Sequence, residues 1–440
     1  MKAVVLEKKG VINVREVPDT PAPAAGELTI APHTVGVCGS DLHYYTHGRV
    51  GKYVVEQPMI LGHEASGTVV AVGSGVEGFE VGDRVAMEPG IPDMNSRASK
   101  LGMYNVDPAV RFFATPPVDG CLCETVNHPA AFTYKLPDNV SYGEGALLEP
   151  TAVGMWAATK AGIKPGDVCV VTGSGTVGML TASCALAGGA SKVIVSDVSS
   201  IKLDIIGKIP GIVPVDLTKE DLVERVREET GGWGADVIFE CSGAPKAYET
   251  FFKLVAPGGT AVLVGIPVDP VSIDITELQA TEVRIENVFR YANVYQKAID
   301  LVASGKLNLK PFITDTYAMA DAKAAFDRMD EGRPGDIKLQ ITVDPSCRLP
   351  WIATEPGMVR PIRWDGPNRS AGDARASEGG FDECRYHVRR PSSDRRGIGL
   401  WGVGGHRSRC RYSGAMGKPR VSEFTGQVAS SSADRVPSHP

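Results

Sequence analysis

Hydrophobic and polar positions fall into distinct regimes along the 440 residues. Up to about residue 150 the apolar residues come in short, partly alternating runs closed by glycine, as in Gly67-Thr68-Val69-Val70-Ala71-Val72-Gly73 and Val81-Gly82-Asp83-Arg84-Val85-Ala86. Runs of that length between turn formers predict strands, and a series of them predicts a β-rich, barrel-like domain. From about 151 to 275, apolar strands at 167–172, 192–196, 235–240 and 260–265 alternate with helical stretches. That alternation predicts βαβ units around a parallel sheet. Beyond 275 the pattern is mixed, with an amphipathic helix over 294–304 and a final strand over 337–343. From 346 to 440 no period of 2 or 3.6 persists, so this segment is expected to be a disordered extension without a core. No internal repeat is visible.

Composition narrows the function classes. With 43% hydrophobic and 22% charged residues the chain is ordinary globular material, long enough for two or three domains of about 150 residues. The net charge of -6 hides an asymmetry: fifteen Arg and Lys418 against nine acids after Ser346 make the tail roughly +7 and the body roughly -13. Spread arginines without an accompanying motif do not make a nucleic-acid arm, and the body has no basic field for nucleic acid or membrane. The tail composition fits loss of the normal reading frame near Pro345. The first residues carry no signal-peptide run, no stretch reaches a membrane span, and nine scattered Cys form no disulfide framework. A cytoplasmic protein with small-molecule partners is expected.

Two constellations carry chemistry. Gly173-Ser174-Gly175-Thr176-Val177-Gly178 follows an apolar strand and precedes the helical stretch 179–187. Such glycines permit a tight turn, close approach of backbone to a pyrophosphate and helix-on-strand packing. A second strand ends at Asp197, nineteen residues past Gly178, where a carboxylate accepts hydrogen bonds from ribose hydroxyls and repels a 2′-phosphate. NAD is therefore expected over NADP, with Lys202 near the adenine edge. The second constellation is Cys38 in Gly36-Val37-Cys38-Gly39-Ser40-Asp41-Leu42-His43, with His63-Glu64 in Gly62-His63-Glu64-Ala65-Ser66-Gly67. Thiolate, imidazole and carboxylate are the ligand types of a catalytic zinc, and Glu149 is available to complete the shell directly or through water. The Cys121-Leu122-Cys123 pair is expected to pack in the core.

Taken together, Gly-His-Glu-x-x-Gly, Cys-Gly-Ser-Asp-x-His and the glycine fingerprint resemble the zinc-dependent medium-chain dehydrogenase/reductase family. The stretches His43-Tyr44, 110–120, Leu148-Glu149-Pro150 and Val288-Phe289-Arg290-Tyr291-Ala292-Asn293 resemble its polyol branch, the sorbitol and xylitol dehydrogenases. The resemblance covers about 1–344. It implies an α/β protein: a GroES-like β-rich catalytic domain over 1–150, to which 276–345 returns, and a Rossmann doubly wound parallel sheet binding NAD over 151–275. It implies one zinc on Cys38, His63 and Glu64, with Glu149 beside it and Asp41 orienting the imidazole. Tyr44, Glu149, Arg290 and Tyr291 would line the polyol site, and Ser40 and His43 would pass the hydroxyl proton to solvent. Gly173, Gly175, Val177, Gly178, Asp197, Lys202, Val264, Gly265, Ile266, Val288, Phe289 and Arg290 would contact NAD.

The reaction so implied is oxidation of xylitol to D-xylulose, the alternatives being D-sorbitol or L-iditol 2-dehydrogenation, or an inactive NAD-binding chain with an abnormal C-terminus. A homo-oligomer, tetramer or dimer, is also implied. One departure stands out. Many relatives carry a structural zinc on four cysteines where this chain has Asp93, Ser96, Ser99 and Asp107, so no structural zinc is expected. Thr176-Val177 and Gly207, read as mid-helix, have no functional explanation at this level.

Overall fold

The computed structural model describes Met1 to Val343; the expected disordered extension, 346–440, lies outside the described residues. Two large sheets carry the fold among those residues. The first runs in the order Thr133–Lys135, Arg84–Met87, Glu64–Val72, Glu27–Gly36, Lys338–Thr342, Ile313–Ala318, and Val126–Pro129 also pairs with Glu27–Gly36. Its strands are antiparallel except for the last pair. Leu28, Ile30, Val35, Ala65, Val69 and Val85 are fully buried between this sheet and its neighbours. Each such side chain contributes about 1.5–3 kcal/mol of burial if it is as large as valine or leucine.

The second sheet is wholly parallel, in the order Ile212–Asp216, Lys192–Asp197, Val168–Thr172, Ala235–Glu240, Val255–Leu263, Arg284–Asn287. The chain enters in the middle, winds outward to one side, then returns to build the other. The strand order therefore reverses between Val168–Thr172 and Ala235–Glu240, and a crevice opens there at the carboxyl ends, the place where such sheets bind ligands.

Several boundaries differ from the sequence expectation, each for a local reason. The second sheet extends past 275 to include Arg284–Asn287, whose Arg-Ile-Glu-Asn sequence shows no apolar run. The expected strand at 81–86 begins only at Arg84, because Gly82 (φ 101°) makes the turn before it. The helix expected at 179–187 starts at Thr176, directly after the glycine turn. Gly207 is not inside a helix: it ends Ser200–Ile206, its N–H donating to the Leu203 carbonyl at 2.8 Å.

Helix Tyr142–Ala161 crosses the expected boundary at 150 and belongs to both halves. It starts with a reciprocal cap, Glu144 N–H on Ser141 Oγ at 3.3 Å and Ser141 N–H on Glu144 Oε2 at 3.0 Å, and ends at Gly162 in the left-handed conformation. Gly145 lets it lie against Ser66 of the first sheet, and Gly154 lets it lie against the backbone of Thr181 in helix Thr176–Ala187. A Cβ at Gly154 would stand 2.8 Å from the Thr181 nitrogen. Main chain cannot rotate away, so Gly154→Ala should lose more by overpacking, about 1–3 kcal/mol, than it gains in helix propensity, about 1 kcal/mol. A lower urea midpoint is expected, and an unchanged one would show that the helices can part.

His128 on Val126–Pro129 is fully buried, with Nδ1 2.9 Å from Thr133 Oγ1 and Nε2 3.1 Å from the Glu88 carbonyl. Burial pushes its pKa down to about 4, against the Glu88 and Pro129 carbonyls, which favour the proton. The unfolded chain takes up that proton near 6.5. Stability present above pH 6.5 is thus lost progressively toward pH 4, by about 3 kcal/mol in all. His128→Gln should flatten the fall of the denaturation midpoint over that window, whereas identical slopes would exclude His128 as its source.

Candidate active site

Strand pairing assembles the metal-type ligands. Gly36 at the end of Glu27–Gly36 lies opposite Glu64 at the start of Glu64–Val72, and Cys38 follows two residues on as the N-cap of helix Gly39–His47. The Cys38 thiol, a His63 nitrogen and a Glu64 oxygen consequently lie within 4.8 Å of one another. Only glycine serves at 36, because a Cβ there would occupy the space of the Glu64 carboxylate. His63 Nδ1 and Glu64 Oε2 are buried without a hydrogen-bond partner among the described residues. Asp41 Oδ1 stands at ion-pair distance, 3.5 Å, from His63 Nδ1, and Asp41 Oδ2 accepts the Cys38 N–H at 3.3 Å.

Glu64 Oε1 is held by Lys338, whose Nζ donates to it at 2.7 Å and to the Val37 carbonyl at 3.1 Å. Burial lowers the His63 pKa, but Asp41 and Cys38 outweigh it and hold the imidazole well above its ordinary value. Unpaired buried donor atoms in a negative setting call for a cation. Sulfur, nitrogen and oxygen together suit zinc, so these residues fit that ion.

One aromatic ring separates this cluster from a polar pocket. The Phe112 ring lies 5.6 Å from the His63 ring, and the Arg290 guanidinium packs on it at 4.3 Å, with Phe289 at 4.9 Å. Arg290 Nη1 is buried and has no partner among the described residues. Its neighbour Tyr291 donates to Glu149 Oε1 at 3.0 Å. Burial raises the Glu149 pKa, and the Glu64 charge raises it further, while His63, Tyr291 and Lys338 act the other way. Glu149 stands outside the three-residue cluster. Tyr44, 2% exposed, has its pKa pushed up to about 12 mainly by burial and is a protonated hydroxyl at neutral pH.

Arg290 and Asn293 both have positive φ, 55° and 59°. This strained segment is pinned from outside: Asn105 Nδ2 donates to the Phe289 carbonyl at 2.8 Å, and the Asn293 N–H donates to Tyr104 Oη at 2.8 Å. Tyr104 and Tyr134 in turn donate to the buried Glu88 at 2.7 and 2.8 Å. The loop holding Tyr104 uses its hard side chains on its own backbone. Asp107 accepts the Asp93 and Ala109 N–H groups at 2.7 and 3.0 Å, and Ser96 caps Ser99 at 3.1 Å.

At the switch point, helix Thr176–Ala187 starts after Gly175 with no side-chain cap, leaving its first N–H groups for an anion. Gly178 is required because a Cβ would overlap the Gly173 carbonyl, whereas Gly175 faces open space. Asp197 Oδ2 accepts the Ser174 N–H at 2.6 Å and Oδ1 the Ser199 N–H at 2.9 Å. These contacts fix the carboxylate at the crevice edge, and the cradle fits a dinucleotide. The Val264 and Gly265 N–H groups bind the Glu240 carbonyl at 2.9 and 2.7 Å, and Ile266 is 77% exposed beyond them. Val177, Lys202 and Val288 are half-buried and Phe289 is exposed.

Ser40 is half-buried and His43 exposed, with no hydrogen bond between them. Cys121 and Cys123 are buried, their thiols on the Gly62 and Thr125 carbonyls at 3.3 and 3.1 Å, and burial pushes the Cys121 thiol well up. Sequence reasoning passed over Lys338 and Glu240. Lys338 was visible as the lone charge in an apolar final strand. Glu240, fully buried at a strand end, accepts the Ser242 and Gly243 N–H groups beside the glycine turn at 2.9 and 3.1 Å. Thr176 also acquires a role, since its hydroxyl donates to the Ile337 carbonyl at 2.5 Å.

Comparison with known proteins agrees with this geometry. Residues 24–138 match the family described as alcohol dehydrogenase GroES-like domain, and 176–304 match zinc-binding dehydrogenase. The D-xylulose reductase of Morganella morganii is 53% identical over 332 residues, covering 75% of this chain and 98% of that one. Human sorbitol dehydrogenase is 39% identical over 79% of this chain and 97% of its own. Among solved structures, an Escherichia coli oxidoreductase/dehydrogenase of unknown specificity superposes with a TM-score of 0.75 at 36% identity, covering 78% of this chain and 99% of that one. With both family descriptions matched and relatives 53% and 39% identical covered almost to their full length, the chain belongs to the zinc-dependent medium-chain dehydrogenase/reductase family, in its polyol dehydrogenase branch.

Proposed function

We propose that the protein oxidises a polyol to the corresponding ketose with NAD as hydride acceptor, xylitol to D-xylulose being the first choice and D-sorbitol the second. The observation that carries this reading is the orphaned, buried Arg290 Nη1, one phenylalanine ring away from the Cys38–His63–Glu64 cluster. A pocket that leaves a buried guanidinium unpaired disfavours a simple alcohol, whose chain offers no second oxygen. A polyol supplies one. The names of the relatives, D-xylulose reductase and sorbitol dehydrogenase, support the same substrate class.

Cys38, His63 and Glu64 would hold the zinc. When bound, zinc supplies Lewis-acid polarisation of the reacting oxygen and NAD supplies the hydride acceptor. The remaining work falls to this chain's own groups. Asp41 faces the His63 ring and Lys338 offsets the Glu64 charge, so the cluster keeps its shape. Arg290, Tyr291, Glu149 and the protonated Tyr44 offer hydrogen bonds to the further hydroxyls and so orient the carbon that loses hydride. Ser40 and His43 carry the released proton to solvent, His43 from its exposed position. Asp197 accepts from the ribose and excludes a 2′-phosphate by charge. The same reading makes the protein cytoplasmic, supported by six cysteines outside any disulfide among the described residues, and a homo-oligomer, supported by the family resemblance. No helix among the described residues is long and apolar enough to cross a membrane.

Following NADH absorbance with xylitol, sorbitol, ribitol and ethanol, with and without added zinc, tests the reading. Zinc-dependent turnover of a polyol with little turnover of ethanol is expected; a folded, zinc-loaded, NAD-binding protein that turns over no polyol would overturn it. Cys38→Ala should leave well under one zinc per chain after dialysis, measured by atomic emission, and full retention would remove Cys38 from the ligand set. Asp197→Ala should raise the KM for NAD about tenfold, a loss of about 1.4 kcal/mol, while improving NADP; an unchanged cofactor ratio would contradict the assigned role of the carboxylate.

A further inference from the structure

Helix Gly39–His47 carries two imidazoles on its solvent side. His43 and His47 are four residues apart, hence neighbours on one helix face, and both are exposed. Their ring centroids stand 5.5 Å apart with planes at 50°. Two imidazole nitrogens bound to one ion at about 2.1 Å each place the ring centres about 5 Å apart, so the pair already has the required separation.

The proton positions favour binding as well. Thr46 donates its hydroxyl proton to the Leu42 carbonyl at 2.9 Å, and its oxygen lies 2.7 Å from His47 Nδ1. A hydroxyl has one proton, so here the oxygen accepts from Nδ1–H. The opposite nitrogen, Nε2, is thereby left with a free lone pair, the arrangement in which a hydrogen bond fixes the tautomer of a ligating histidine. The His43 ring makes no hydrogen bond among the described residues. The Arg49 guanidinium, just past the helix, is engaged by the Gly51 carbonyl at 2.7 and 3.1 Å.

We infer that His43 and His47 form a surface site for a borderline divalent cation such as nickel, copper or zinc, separate from the buried cluster and completed by water. Imidazole is a ligand type that suits these ions, and two on adjacent helical turns chelate one.

The test uses the untagged, full-length, zinc-loaded protein titrated with Ni²⁺ by calorimetry, with bound zinc checked to remain constant. Wild type should show a site of roughly micromolar to 100 μM affinity that weakens at least about tenfold, about 1.4 kcal/mol, in His47→Gln. The tail histidines His387, His406 and His439 are common to both proteins and cancel in the comparison. Thr46→Val should weaken the site a few-fold by releasing the tautomer, with an unchanged melting temperature showing that the helix persists. Equal nickel affinity in wild type and His47→Gln, or no such site in wild type, would overturn the assignment.

Discussion

The arrangement of the site depends on one buried ion pair. Glu64 and Lys338 meet at 2.7 Å with side chains only 1% and 4% exposed. An uncompensated charge at that depth would cost several kcal/mol, so each residue requires the other. The pair fixes one carboxylate oxygen and leaves the second buried without a hydrogen-bond partner among the described residues. The lysine comes from the final strand, Lys338–Thr342, which lies inside the first sheet between Glu27–Gly36 and the edge strand Ile313–Ala318. That placement explains why strands from both ends of the described chain are neighbours.

The same strand reaches the other half of the molecule. Ile337, the residue before Lys338, takes the Thr176 hydroxyl from the start of the helix that faces the dinucleotide crevice. Glu64 and the glycine cradle are thus joined through two consecutive residues. Helix Tyr142–Ala161 is the second tie, touching the first sheet through Gly145 and helix Thr176–Ala187 beside the second sheet through Gly154, and carrying Glu149 in between. A hydride transfer between groups bound on different sheets needs their separation held closely, and these two ties connect the elements concerned.

Most of this architecture was legible in the sequence wherever the signal was local. The Gly173–Gly178 turn, Asp197 at a strand end, and Cys38 with His63-Glu64 are short patterns whose chemistry follows from spacing. What escaped depended on partners distant in the chain. Arg284–Asn287 reads as polar, and only its parallel neighbour makes it a strand. Glu240 looks like an ordinary strand-end carboxylate until the loop of Ser242 and Gly243 folds onto it. Gly207 was misplaced because a glycine within an apolar stretch is ambiguous between helix interior and helix end. Thr176 looked odd in a glycine turn because its partner carbonyl lies 161 residues away.

The pairing of Glu64 with Lys338 spans 274 residues of sequence. On the ribosome, Glu64 leaves the exit tunnel long before its counter-charge has been made. Until then, closing the first strands around it as a charged carboxylate would leave that charge without the partner it has in the finished fold. Burial of that carboxylate against its lysine is therefore completed only when nearly the whole described body has been synthesised.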